Sequence, residues 1–182
     1  MTLIWMDTET YSPIPIKHGT HAYAERVEVM LWAYAIGEGP VSVWDRTQVD
    51  DMPADLADAL SDPDNWFVFH NSQFDRTVLR HSGYDIPLER TLDTMVVALE
   101  HSLPGGLGQL CEVLNVPTDK AKDKDGKRLI QLFCQPRPKN VKLRRATCES
   151  HPIEWARFIS YASNDIAAMR ELYQRLPKWN FK

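Results

Sequence analysis

The sequence predicts an α/β layered fold, a mixed sheet flanked by helices, and two observations carry that expectation. Strand-like runs come first, as a meander: Leu3–Glu9, Val27–Ile36 and Val41–Trp44. Helical patterns then alternate with a further strand, an order that places helices on the faces of a sheet. The 182 residues suit one domain, 1–182, with a sizeable core.

Each element has a local reason. Leu3-Ile4-Trp5-Met6 is an apolar run that opens the first strand, and Ser12-Pro13-Ile14-Pro15 reads as the loop after it. The next two strands are joined by Gly37-Glu38-Gly39-Pro40, a hairpin signal. Pro53 to Leu60 fits a short helix with proline near its start. Trp66–Phe69 is a short apolar strand, and Phe74–His81 begins a helix for which Gly83 is a C-cap. Helical patterns recur at Thr94–His101, Leu107–Leu114 and Lys127–Phe133. A long final helix is expected from Ile153 to Leu176, stopped by Pro177, with a bend near Ser160. The stretch from Lys120 to Ala146 is the least regular and is expected to be flexible.

Charge and cysteine usage narrow the function classes. Net charge is −4. Residues 120–145 hold ten Lys and Arg against two Asp, a net +8, which leaves −12 on the remainder. A basic segment on an acidic body suggests contact with a polyanion. Cys111, Cys134 and Cys148 are odd in number and lack C-x-x-C spacing, so neither a disulfide framework nor a zinc site is expected, and a reducing cytosol fits. No apolar stretch is long enough to span a membrane, and no signal peptide is expected.

Carboxylates mark the chemistry. Asp7 and Glu9 are two apart at the end of the first strand, so they share a face. Asp75 opens a helix, where Ser72-x-x-Asp75 approximates a capping box. Tyr161 and Asp165 are four apart on one face of the last helix. Four clustered carboxylates repel one another unless a cation neutralises them, and their oxygens favour hard ions such as Mg²⁺ or Mn²⁺. Other patterns fail. Asp123-Lys124-Asp125-Gly126 lacks two ligands of a calcium loop, His18 and His21 have no partners at zinc spacing, and His70 reads as structural.

D-x-E at Asp7, N-x-x-F-D ending at Asp75 and Y-x-x-x-D ending at Asp165, in that order, resemble the DEDD 3′–5′ exonucleases of the tyrosine branch. The other branch carries histidine five residues before the last Asp, where this chain has Ser160. HNSQFDRTVLR, DGKRLIQLFCQP and YASNDIAAMRELYQRLP are most similar to the proofreading domain of phage-type family A DNA polymerases. The resemblance covers nearly the whole chain. It implies a ribonuclease H-like, five-stranded mixed sheet with the active site at one end.

The resemblance also implies two divalent ions. Asp7, Glu9 and Asp165 would hold one, Asp7 would bridge to the second, and Asp75 would support that second ion directly or through water. Tyr161 and Glu9 would orient the attacking water, and nucleoside 5′-monophosphates would leave. Thr8, Asn71 and Phe74 are expected to hold the terminal nucleotide. Arg137, Lys139, Lys142, Arg144 and Arg145, in the basic segment, are expected to meet substrate phosphates. The expected substrate is DNA with single-stranded or frayed 3′ ends. A polymerase domain or subunit is the expected partner, in a bacterial host cytoplasm if the chain is phage-encoded. An exoribonuclease similar to ribonuclease D and a non-catalytic nucleic-acid binding module are the alternatives.

Overall fold

A computed structural model describes residues 1–117, 120–138 and 140–178, except the side chains of 120–124. Its strands are β1 (Leu3–Tyr11), β2 (Glu28–Ile36), β3 (Val41–Asp45), β4 (Trp66–Phe69) and β5 (Thr91–Asp93). They form one sheet in the order β3-β2-β1-β4-β5. The β1–β2 and β2–β3 pairs are antiparallel, and the β1–β4 and β4–β5 pairs are parallel. Among the described residues the helices are α1 (Thr20–Ala24), α2 (Ala54–Ser61), α3 (Ser72–His81), α4 (Thr94–Glu100), α5 (Leu107–Val113), α6 (Lys120–Phe133) and α7 (Pro152–Arg175). None is long and apolar enough to cross a membrane.

Strand alternation sorts the core into two layers. Ile4 and Met6 of β1 join Trp32, Phe67 and Phe69 under Leu56, Val78 and Leu79 of α2 and α3. Trp5, Ala33 and Val68 face the other way, against Leu129 and Phe133 of α6 and Trp155, Phe158, Ala162, Ile166 and Met169 of α7. Period two therefore sends Asp7 and Glu9 to the α7 side and Thr8 to the α3 side. The β1–β2 register slips between Glu9 and Thr10, which pair with Leu31 and Val29. Met30 is the extra residue, and it buries on the same side as Leu31, so a β-bulge kinks the sheet beside Glu9.

The C-cap expected at Gly83 forms. Its φ is +90°, its N–H donates to the Arg80 carbonyl, and the Tyr84 N–H donates to the Leu79 carbonyl, a Schellman closure. Other expectations change. The helical pattern expected at Lys127–Phe133 forms, and residues 120–126, read only as part of an irregular segment, extend it backwards as α6, where charge hides the helical period until Leu129. The expected bend near Ser160 does not interrupt α7, which runs unbroken for 24 residues. Strand β5 is an addition to the elements read from local pattern, being three residues paired with β4 at the sheet edge.

Candidate active site

The site forms where β1 outruns β4. Parallel pairing reaches only Trp5 and Val68, so β1 loses its neighbour on that edge from Met6 onward. Helix α3 begins in that space, at the carboxyl ends of β1 and β4, where open α/β sheets place their ligands. The Thr8 N–H has no strand to meet on that side and donates instead to Asp75 Oδ1 at 3.0 Å. The Thr8 hydroxyl donates to the same oxygen at 2.6 Å. Asp75 is thus fixed to β1 and does not complete a capping box. The N-cap of α3 is Asn71, in the left-handed region at φ 73°, with no side-chain cap bond.

Across the strand, α7 supplies Asp165 and Tyr161. One carboxylate oxygen from each of Asp7, Glu9 and Asp165 lies within 4.8 Å of the others. Glu9 is buried, and Asp7 and Asp165 are half-buried. Burial pushes the Asp7 carboxyl up to about 6. It pushes Glu9 well above the carboxylate range, with Asp7, Asp165 and Asp75 adding repulsion. Asp75 stands outside the tight triad, yet burial and Asp7 raise it too, against the two Thr8 hydrogen bonds. The Tyr161 hydroxyl hydrogen-bonds Asp165, and burial, then Asp165 and Glu9, push its ionisation upward. It therefore stays a neutral phenol. Three hard oxygens converging in a site that penalises their charge fit a divalent cation, which would remove that penalty.

The sequence places the remaining site residues unevenly. The Asn71 N–H donates to Asp93 Oδ1 at 3.0 Å. Phe74 is partly buried, with its ring 5.8 Å from Tyr23. Within the basic segment, the stretch after α6 leaves at Cys134, whose thiol lies 3.8 Å from Glu9 Oε2, and returns at Arg145, whose guanidinium sits 4.0 Å over the Tyr11 ring. Both ends of that stretch are therefore anchored beside the far end of β1. Arg137 is half-buried and donates its backbone N–H to the Arg144 carbonyl, while Lys142 and Arg144 are exposed. Arg145 has protein partners, a bidentate pair with Glu28 at 2.6 and 2.7 Å besides Tyr11. Lys139 lies outside the described residues.

A family model described as 3′–5′ exonuclease, of the DNA polymerase A type, matches residues 6–179. The chain belongs to this exonuclease family. The DNA polymerase of Bacillus phage SP02 is 31% identical over 98% of the chain, which spans 28% of that polymerase. Among solved structures, Brucella melitensis NrnC superposes with a TM-score of 0.58 at 19% identity, covering 96% of this chain and 71% of that one. The same protein bound to pGG gives 0.57 at 18% identity, over 96% and 71% of the two chains. With bound Mg²⁺ it gives 0.56 at 18% identity, over 96% and 73%. These likenesses place the sheet in the ribonuclease H-like exonuclease fold.

Two residues that support the candidate site carry no short sequence motif. Asp93 ends β5 and accepts four backbone N–H groups: Asn71 and Ser72 at the start of α3, and Met95 and Val96 at the start of α4. It ties together the N-termini of α3 and α4. Asp93 before Thr94 reads as a helix N-cap, but its reach back to residue 71 has no local signature. Cys134 reads only as an odd cysteine. His70 is held by Thr94 and the Gly105 carbonyl, the structural place expected of it.

Proposed function

We propose that this exonuclease removes nucleotides one at a time from DNA 3′ ends with two divalent ions, as a proofreading activity. The observation that carries the reading is the convergence of Asp7, Glu9 and Asp165, one buried and two half-buried acids whose charge a cation would neutralise. The phage DNA polymerase among its relatives supports DNA as substrate and a polymerase as partner.

Bound there, the ions would lower the pKa of a water and neutralise charge on the phosphodiester. Asp7, Glu9 and Asp165 would hold the first. Asp7 and Asp75, the latter steadied by Thr8, would hold the second. Tyr161, a neutral phenol, orients the attacking oxygen and Glu9 accepts its second hydrogen bond. Asn71 and Phe74, at the mouth formed by α3, hold the terminal nucleotide. A duplex end must first unpair to enter, at a cost of a few kcal/mol that is least for a mismatch. Arg137, Lys142 and Arg144, in the stretch held between Cys134 and Arg145, would meet phosphates of the strand upstream of the cut. A ribose-containing strand, as for an exoribonuclease similar to ribonuclease D, is the second reading, since the same carboxylate set would serve it.

The test uses a 5′-labelled all-deoxy strand and its all-ribo twin. The proposal expects a ladder shortening from the 3′ end and 5′-mononucleotide product. Faster cleavage of the deoxy strand and loss of activity in EDTA are expected too. Near-normal turnover by Asp7→Ala, with contaminating nuclease excluded, would overturn the site. Faster cleavage of the ribo strand would overturn the DNA assignment.

A further inference from the structure

Gly126 occupies a place where a helix has reason to avoid glycine. It lies inside the 14-residue α6, where glycine is the least favourable residue short of proline. It is buried, and it falls on the same stripe as Leu129 and Phe133, the residues through which α6 packs onto α7 and the sheet. Its φ is not positive, so no turn calls for glycine here. What calls for it is a ring. A Cβ at position 126 would lie 2.5 Å from Tyr161 Cε2, 2.9 Å from Cδ2 and 3.3 Å from Cζ. Any side chain there would displace Tyr161.

The same ring is held from its own helix. Tyr161 lies parallel to Phe158, at 4° with centroids 6.4 Å apart, and Phe158 stacks on Phe133 at 5.2 Å. Gly126 thus closes the α6 side of a seat whose α7 side is aromatic. An open cleft of about 190 Å³, lined by Gly126, Leu129, Arg157, Ser160 and Tyr161, runs along the seam and gives the ring somewhere to go.

We propose that Gly126 is a positioning residue of the exonuclease reaction: bare backbone at this point of α6 lets the Tyr161 ring seat with its hydroxyl at Asp165 and Glu9. The inference rests on the reading of Tyr161 as the group that orients the attacking water. The three atoms nearest a Cβ at Gly126 all belong to the Tyr161 ring, so its effect on the reaction should pass through Tyr161.

The test is a double-mutant cycle in steady-state kinetics on a single-stranded DNA, with Mg²⁺ affinity measured alongside by calorimetry. Gly126→Ala should lower kcat about tenfold or more, leave KM within about twofold and leave Mg²⁺ affinity unchanged. On a Tyr161→Phe background the same change should alter kcat less than about twofold, because the hydroxyl it misplaces is already gone. Multiplying effects, or full kcat in Gly126→Ala while Tyr161→Phe is slow, overturns the positioning role. Full kcat in Tyr161→Phe overturns the reading of Tyr161 itself, and the inference with it. Should Gly126→Ala fail to fold, Gly126→Ala/Tyr161→Ala should fold again, since the obstructing ring is removed. Failure of that rescue also overturns the proposal.

Discussion

Replacing Asp7 by Asn should stabilise the metal-free protein at neutral pH while abolishing its activity. Burial raises the Asp7 carboxyl from 3.8 to about 6. A carboxyl with a raised folded-state pKa contributes stability that is complete below the unfolded pKa and is lost as pH rises through the folded one. The shift of about 2 units is worth about 3 kcal/mol in full. Between about pH 5 and about pH 8 the part still to be lost is on the order of 1 kcal/mol. For a chain of this size that is a fall in Tm of roughly 2–4 °C. Glu9 and Asp75 are raised in the same direction, each partly by Asp7, so the amide relieves them as well and the figure is a lower bound. The assay is thermal melting of wild type and Asp7→Asn in EDTA across that range. The difference between the two proteins isolates the site from titrations elsewhere. Wild type should lose ground to the variant as pH rises, and saturating Mg²⁺ should close the gap for wild type only. A variant that melts below wild type at about pH 8 in EDTA, or a difference independent of pH, would refute the reasoning.

Other expectations follow from the same geometry. Thr8→Val removes the 2.6 Å bond to Asp75 and leaves a buried acceptor short of a donor, which should cost about 1–3 kcal/mol in chemical denaturation and raise the Mg²⁺ needed for half-maximal activity. An unchanged Mg²⁺ requirement would detach Asp75 from the metal site. Tyr161→Phe should lower turnover with metal affinity nearly unchanged, and weakened binding by calorimetry would contradict its place as a water-orienting group. Replacing Arg137, Lys142 and Arg144 together by Ala should weaken binding of single-stranded DNA, take about 0.7 per lost phosphate contact off the salt slope, and spare turnover at saturation. An unchanged KM and salt slope would free the segment from substrate binding.

The fold was legible where burial writes a period into sequence. Leu3–Met6 announces β1, the two-residue step from Asp7 to Glu9 puts both acids on one face, and the four-residue step from Tyr161 to Asp165 does the same on α7. What stayed hidden depends on contacts distant in sequence. Thr91–Asp93 is a strand only because β4 lies beside it. The first half of α6 carries charges in place of an apolar repeat, so its helix was invisible. Ser72 and Asp75 looked like a capping box because the competing donor, Thr8, is 67 residues away. The protein partners of Arg145 have no local signal either, since the Glu28 and Tyr11 that hold it lie far upstream. The carboxylates were readable as chemistry, and the parts that seat them were not.

The central claim is that these carboxylates hold two ions against the 3′ terminal phosphodiester. A crystal structure of the protein with Mn²⁺ and a short single-stranded DNA, read by anomalous scattering, tests it most directly. The account predicts two Mn²⁺ peaks, one among Asp7, Glu9 and Asp165 and one between Asp7 and Asp75, with the Tyr161 hydroxyl facing the terminal phosphate. Mn²⁺ bound away from these residues, or a 3′ end seated elsewhere on the protein, would contradict it.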